Sequence, residues 1–288
     1  MKTKTLTIGQ IRYTNTLPVY FYFDQRRFED QVEFVQQVPA QLNQAMAAGR
    51  IDVGPISAFS YAQHEQQYLV LPHLSVSAYR KVRSIYLFSR QPIEQLDGAR
   101  IALTNTSATS VNLLKIILEK FMGFHVTYNT MEPKLSLMME QADAALLIGD
   151  DALLAYRANK EYHVYDLADL WHQHTGYSMT FALWTVRKQA ILQQEALLKE
   201  IYAAFLDSKE KSLRDLTPLV AHVKEQIGGE AADWYEYFSG LQYDFSPKHQ
   251  EGLEYYFAQA AEMDLLPTAV KVKVWDLGSI AATNTLMN

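Results

Sequence analysis

Ile101-Ala-Leu-Thr-Asn-Thr-Ser-Ala-Thr-Ser-Val-Asn-Leu-Leu-Lys-Ile-Ile-Leu118 is the stretch that decides the fold. Its apolar opening, Ile101 to Leu103, reads as a buried strand. Apolar residues then return at helical spacing at Val111, Leu114, Ile117 and Leu118. Between them lie Thr104, Thr106, Ser107, Thr109 and Ser110. The pattern predicts a strand, a turn and the first turn of a helix. Backbone N–H groups in a first helical turn have no partner within the helix, and the macrodipole makes that end slightly positive. Free of bulk and lined with hydroxyls, such a turn is a seat for a carboxylate or phosphate. A single hydroxyl there would be a helix cap. Five within seven residues predict a polar-ligand site.

The same unit recurs on both sides of this stretch. Upstream, the strand Thr5 to Ile11 leaves its sheet at Arg12-Tyr13-Thr14-Asn15-Thr16-Leu17-Pro18. Asn15 therefore stands beyond a strand's carboxyl end, where open α/β sheets bind ligands. A turn residue favoured for its own local hydrogen bonds is the alternative there. Val32 to Val38 is a second strand. Pro39 to Ala48 is a helix with Pro at its start and Gly49 just past its end. Ile51 to Ile56 is a third strand, ending at Ser57 as the cap of another helix. Downstream, Val126 to Thr130, Lys134 to Gln141 and Ala142 to Ile148 repeat strand, helix, strand, and end at Gly149-Asp150-Asp151. Segments 51–57 and 142–149 thus occupy matching places in two αβ series, which predicts one architectural unit used twice. Strand–helix alternation of this kind requires mostly parallel sheets with right-handed crossovers. The strand Met179 to Val186 is the candidate return crossing, and helices follow at Leu192–Leu213, Pro218–Ile227, Ala231–Phe238 and Pro247–Met263. At 288 residues two lobes are the default. The expected division is 1–88 plus 187–288 for the first lobe and 89–186 for the second.

Composition removes several function classes. The net charge of -6 offers no field for nucleic acid or an anionic membrane. An anionic ligand must be attracted locally, against that field. There is no cysteine, so disulfides, thiolate metal sites and thiol nucleophiles are all absent. No segment reaches the roughly 18 uninterrupted apolar residues of a membrane span. Met1-Lys-Thr-Lys-Thr-Leu-Thr-Ile8 lacks the apolar region and cleavage site of a secretion signal, so the expectation is a cytoplasmic protein. Glycine-rich dinucleotide, Walker and Gly-x-Ser-x-Gly patterns are missing. No cofactor and no metal are expected. His172 and His174 would share a face on a strand, but no third ligand recurs at a metal-like spacing.

Other candidates carry two readings each. One of Asp150 and Asp151 caps the following helix while the other reaches the cleft, or both only cap. Arg80, Lys81 and Arg83 form a solvated hairpin edge, or one of them faces the cleft with Ser84. Tyr13, Tyr61, Phe88 and Phe181 wall a ring-shaped ligand or simply pack in the core.

Several of these stretches together resemble a known family. They are Ile11-Arg-Tyr-Thr-Asn-Thr-Leu-Pro18, Val38-Pro-Ala-Gln-Leu-Asn43, Gly49-Arg-Ile-Asp-Val-Gly-Pro-Ile-Ser57, Tyr61-Ala62 and Val82-Arg-Ser-Ile-Tyr-Leu-Phe-Ser89. Further on come Ile101-Ala-Leu-Thr104, Ser107-Ala-Thr-Ser110, Leu113-Leu-Lys115, Ala144-Ala-Leu-Leu-Ile-Gly-Asp150, Thr175-Gly176 and Phe181-Ala-Leu-Trp184. In that order they resemble the chorismate dehydratases of the futalosine route to menaquinone. The helical tail is only loosely similar. The chain departs from the family at Arg80-Lys81, where a glycine is common, and at Tyr177-Ser178, where a Pro follows Thr-Gly-Leu; both departures are expected at the cleft rim.

The resemblance implies a two-lobed α/β fold of the type II periplasmic-binding-protein kind, each lobe a mostly parallel sheet flanked by helices, with a helical C-terminal third. It implies a hydro-lyase that converts chorismate, a dianion, to 3-[(1-carboxyvinyl)oxy]benzoate. It places Asn15 and Ser84 beside the reacting ring as catalytic residues. Ser57, Thr104, Thr106, Ser107, Thr109, Ser110 and Asp150 would bind the substrate. No protein base stands out; the substrate's own side-chain carboxylate takes the C3 proton, with Asp52 as fallback. The rivals are a solute-binding protein for a small carboxylate, the sister enzyme that forms dihydroxynaphthoate, and a ligand-sensing regulatory domain.

Overall fold

The computed structural model describes residues 5–277. Its strands are β1 (Leu6–Ile11), β2 (Val32–Gln37), β3 (Val53–Ser57), β4 (Tyr68–Ala78), β5 (Ile85–Ser89), β6 (Arg100–Thr104), β7 (Thr127–Met131), β8 (Ala144–Ile148), β9 (His163–Asp166) and β10 (Met179–Arg187). Its α-helices are α1 (Leu17–Tyr20), α2 (Pro39–Ala47), α3 (Ala58–Gln63), α4 (Ala108–Lys115), α5 (Leu135–Gln141), α6 (Gly149–Ala158), α7 (Leu167–Thr175), α8 (Lys188–Arg214), α9 (Thr217–Ile227), α10 (Ala231–Gly240) and α11 (Pro247–Glu262). Among the described residues no helix is long and apolar enough to cross a membrane.

Two five-stranded sheets form, ordered β2-β1-β3-β10-β4 and β7-β6-β8-β5-β9. In the first, β1 pairs parallel with β2 and β3, and β10 pairs antiparallel with β3 and β4. In the second, β6 pairs parallel with β7 and β8, and β5 pairs antiparallel with β8 and β9. Each sheet therefore has one reversed strand among four that share a direction. The two orders superimpose when β1, β2, β3 and β4 are matched to β6, β7, β8 and β9. The twice-used unit foreseen from segments 51–57 and 142–149 is this correspondence of β3 with β8.

Burial on both faces explains why the strands read as unbroken apolar runs. Along β5, Ile85 and Leu87 join the large core that spans both sheets, whereas Tyr86 and Phe88 join a smaller core with Met138, Met139 and Leu147. Strand periodicity of two sends alternate residues to these two cores. The C-terminal helices cover the first sheet: α8 packs on β4 and β10, and α11 on β10 and α3.

The strand pairing cuts across the expected division of the chain. The expected division puts residues 85–88 in the first lobe, whereas β5 is bonded into the second sheet; it puts residues 179–186 in the second, whereas β10 is bonded into the first. We place the lobe boundaries in the two connections 79–84 and 176–178. Apolar strands on either side of a crossing look alike in sequence, and only hydrogen-bond partners separate them.

Candidate ligand cleft

Four strand-to-helix turns face one another across the two sheets: β1 to α1, β3 to α3, β6 to α4 and β8 to α6. Each ends in a helix start, so each offers backbone N–H groups without an intrahelical partner.

The first cluster joins the β1 and β8 turns. The Thr16 hydroxyl closes the β1 turn by donating to the carbonyls of Ile11 and Tyr13, both at 3.3 Å. Thr14 then donates to Asp150 Oδ1 from its backbone N–H at 3.2 Å and from its hydroxyl at 2.6 Å. The Tyr13 hydroxyl donates to Asp151 Oδ2 at 3.3 Å. Both acids at the start of α6 are thus anchored by the β1 turn. Burial raises the Asp150 carboxyl above its ordinary value, and the two bonds from Thr14 pull it back. Burial likewise pushes the Tyr13 hydroxyl up to about 12. The Tyr13 ring lies on Gly149, where a Cβ would stand 2.7 Å from the ring and where φ is +61°. Only glycine lets the ring come this close. The Gly149 N–H donates to the Ser84 carbonyl at 2.7 Å, which brings Ser84 into the cluster. Asn15 sits in the same turn, and its Oδ1 is buried without a hydrogen-bond partner among the described residues.

The second cluster joins the β3 and β6 turns. Ser57 caps α3, its Oγ accepting from Ser60 N–H at 3.3 Å. The buried Asn43 on α2 clamps it, donating to Ser57 Oγ at 2.9 Å and accepting from Ser57 N–H at 3.0 Å. Ser107 caps α4 by accepting from Ser110 N–H at 3.2 Å, and donates to Ser110 Oγ at 3.0 Å. Phe59 N–H, in the first turn of α3, donates to Thr109 Oγ1 at 2.9 Å, a direct bond between the two sheets' helices. Thr104 and Thr106 share a hydroxyl–hydroxyl bond of 2.7 Å. The Tyr13 hydroxyl approaches Thr106, and this contact links the two clusters.

A cavity of about 500 Å³ opens on the second cluster, lined by Asn43, Phe59, Ser60, Thr104, Asn105 and Ser107 among others. That is within the usual range for a small-molecule site. No Lys or Arg among the described residues lines it. A cavity of about 250 Å³ opens on the first cluster, beside Tyr13, Thr14 and Asp150.

The candidates therefore divide. Asn15, Ser84 and Asp150 lie in one cluster; Ser57, Thr104, Ser107, Thr109 and Ser110 lie in the other, and Thr106 sits where they meet. The hydroxyl run is more engaged than its sequence implied, because Ser107 caps, Thr104 pairs with Thr106, and Thr109 serves a helix of the other sheet. Still unmatched by any acceptor among the described residues are the hydroxyl protons of Ser57, Thr109 and Ser110.

Several expectations change. His172 and His174 lie on helix α7, not on a strand, so a spacing of two no longer gives a shared face; His172 Nδ1 lies 3.2 Å from the Tyr177 carbonyl. Of the four aromatic candidates only Tyr13 reaches the cleft. Phe88 and Phe181 are core, and the Tyr61 hydroxyl accepts from Lys273 N–H. Asp52 is buried, accepts from Thr7 N–H at 3.0 Å and stands 3.9 Å from Arg187, which makes it a structural partner. Arg83 pairs with Glu236 rather than with the cleft. Tyr177 and Ser178, expected at the rim, pack against Tyr255 and Gly252 of α11.

Sequence reasoning missed Asn43, Tyr237 and Asp166. Asn43 had a signal, as a polar residue on the apolar face of α2. Asp166 caps α7 and also accepts from Val82 N–H at 3.2 Å and Arg83 N–H at 2.7 Å, so it fixes the connection that carries Ser84. Burial pushes its carboxyl up to about 6, although four N–H donors favour the charged form. A carboxyl raised above its unfolded value holds its proton better in the folded chain. Its contribution to stability is full at low pH and is lost as the pH rises from about 4 through 6. The expected result is that Asp166→Asn lessens the fall in stability between pH 4.5 and pH 7. Urea midpoints of both proteins at the two pH values measure it, and identical pH dependence would contradict it.

A family profile described as menaquinone biosynthesis matches residues 6–262. The chain is 28% identical over 275 residues to a chorismate dehydratase of Thermus thermophilus, covering 90% of this chain and 96% of that protein. It is 22% identical over 266 residues to a 1,4-dihydroxy-6-naphtoate synthase of the same organism, covering 89% of this chain and 94% of that one. In structure it is similar to the alkanesulfonate-binding protein of Xanthomonas axonopodis, with a TM-score of 0.72, 18% identity, and coverage of 94% and 98%. At that identity the likeness concerns the fold, which is the two-lobed type II periplasmic-binding-protein kind.

Proposed function

Because the chain belongs to the menaquinone biosynthesis family, we propose that it dehydrates chorismate to 3-[(1-carboxyvinyl)oxy]benzoate. The observation that carries this reading is a cavity lined by uncharged polar groups at helix starts, with no Lys or Arg among the described residues lining it. The greater similarity to a chorismate dehydratase than to a naphthoate synthase supports it.

The chemistry suits such a cleft. Losing the C3 proton and the C4 hydroxyl makes the ring aromatic, so the product's stability drives the step. The protein must orient the dianion and stabilise charge as it develops. The helix start after Thr104 to Ser110, with the Ser57 hydroxyl, takes the carboxylates, in the manner of anion sites at helix N-termini. Asn15 and Ser84 stand at the ring, the Asn15 Nδ2 and the Ser84 hydroxyl, the latter turning from the Val82 carbonyl 3.3 Å away, donating to the departing hydroxyl or to the enolate of the ring carboxylate. Asp150, with Oδ1 engaged by Thr14, offers its other oxygen to a substrate hydroxyl. The substrate's side-chain carboxylate takes the C3 proton and delivers it to the departing oxygen, which leaves as water.

Incubation with chorismate, followed in the ultraviolet, tests the proposal. The expected result is an aromatic product that accumulates in excess of enzyme. Chorismate bound but recovered unchanged would favour a binding protein. Chorismate untouched while a cyclised futalosine yields dihydroxynaphthoate would favour the sister activity.

A further inference from the structure

Tyr237 comes from α10, in the helical C-terminal third. It is 2% exposed. Its ring is anchored in its own helix, 5.9 Å from Trp234 and 5.2 Å from Phe238. The helix is tied to the second sheet's elements at two points. Arg157 of α6 lies over the Trp234 ring at 4.2 Å, and Glu236 pairs with Arg83, next to Ser84. These ties hold α10 against the 79–84 connection and the last turn of α6. Its hydroxyl stands beside the hydroxyls of Ser84 and Thr14 and in the field of Asp150. It nevertheless completes no hydrogen bond among the described residues.

A buried hydroxyl without a partner is costly to keep, and each such group calls for a reason. The hydroxyls of Tyr68 and Tyr243 also lack partners. Tyr68, however, lies near Arg187, and Tyr243 lies near Tyr237 itself. Tyr237 alone of the three stands beside Ser84. In the same β1 turn as Thr14, Asn15 Oδ1 is also unmatched. Two orphaned polar groups in one junction are what a site looks like before its ligand completes them.

We propose that Tyr237 is a substrate-contacting residue, its hydroxyl donating a hydrogen bond to the ring oxygen that departs. This rests on the chorismate dehydratase reading above. In the step, the C3–H pair becomes the C3=C4 double bond and the C4–O bond breaks toward oxygen. The departing oxygen takes up the proton that left C3 and becomes water. Tyr237 keeps its own proton throughout, in keeping with burial that raises its hydroxyl well above the ordinary value. Its part is to hold the oxygen's growing charge, together with Ser84.

Tyr237→Phe tests this, since it removes one oxygen and keeps the ring packed on Trp234 and Phe238. The expected result is a fall in kcat of about 50-fold or more with KM within about 3-fold, the pattern of an interaction made only in the transition state. The thermal midpoint should stay level or rise, because the hydroxyl has no partner to lose. If wild type aromatises chorismate and Tyr237→Phe keeps kcat within about 2-fold, the assignment to Tyr237 fails alone. A drop in thermal midpoint that accounts for the lost activity overturns it too, by showing a structural role. If wild type leaves chorismate unchanged, the functional reading falls first and takes this assignment with it.

Discussion

Asn15→Ala is expected to lower turnover of chorismate by about 10² to 10³-fold while KM moves only a few-fold, the loss seen when one preorganised polar contact to a transition state is removed. The turn that carries Asn15 is fixed from both sides. Thr16 closes it on Ile11 and Tyr13, and Thr14 holds Asp150 through two bonds. An amide on so constrained a turn loses little entropy when it meets substrate, so most of its interaction is available to the reaction. Because its Oδ1 is buried and unmatched, the folded protein gains nothing from it. Alanine should therefore leave the unfolding midpoint unchanged or slightly higher. Steady-state kinetics with chorismate, paired with a thermal melt, measure both. Asn15→Asp separates donor from acceptor: its added negative charge repels a dianion and raises KM, which alanine does not. Turnover within about 2-fold of wild type in Asn15→Ala would take the residue out of the mechanism.

Gly54→Ala is the largest expected effect on stability. Gly54 lies in β3 with φ at +156°, and a Cβ there would stand 2.6 Å from the Gly9 carbonyl oxygen and 3.0 Å from Gly9 Cα. Those atoms belong to the main chain of β1, the neighbouring strand. A side chain in the way could turn aside, whereas a backbone can yield only by moving its strand. Strained backbone costs about 1–3 kcal/mol and overpacking adds a similar amount. We expect about 3 kcal/mol of destabilisation, read from urea midpoints, and a parallel loss of activity because Ser57 ends the same strand. A loss under about 1 kcal/mol would mean that β1 and β3 separate more easily than their packing implies.

Fold and site were legible to different depths. Periodicity and capping are local, so Ile101 to Ser110 gave its strand and helix start, and Pro39 with Gly49 bracketed α2. The match of 51–57 with 142–149 located equivalent strands of two sheets because the same turn chemistry closes both. The crossings were harder. Ile85 to Ser89 and Met179 to Val186 are apolar on both faces, and nothing local says which sheet an apolar strand joins. Thr109 illustrates the same limit within the site. Its hydroxyl looked like part of an open anion seat, but it accepts from Phe59 N–H, a partner in the other sheet's helix. Tyr237 left no signal at all, since Trp234, Tyr237 and Phe238 fall at helical spacing and read as one core face.

By itself the sequence determined where strands end and helices begin, that polar residues of small volume occupy those ends, and that the unit occurs twice. These follow from backbone propensity and from side chains acting within a few residues of themselves. The tertiary structure alone decided which hydroxyls are engaged across the sheets, which sheet each crossing strand joins, and that a tyrosine from α10 lies beside Ser84. Those outcomes depend on contacts between residues far apart in the chain, whose partners are chosen by sheet pairing and packing rather than by any local pattern.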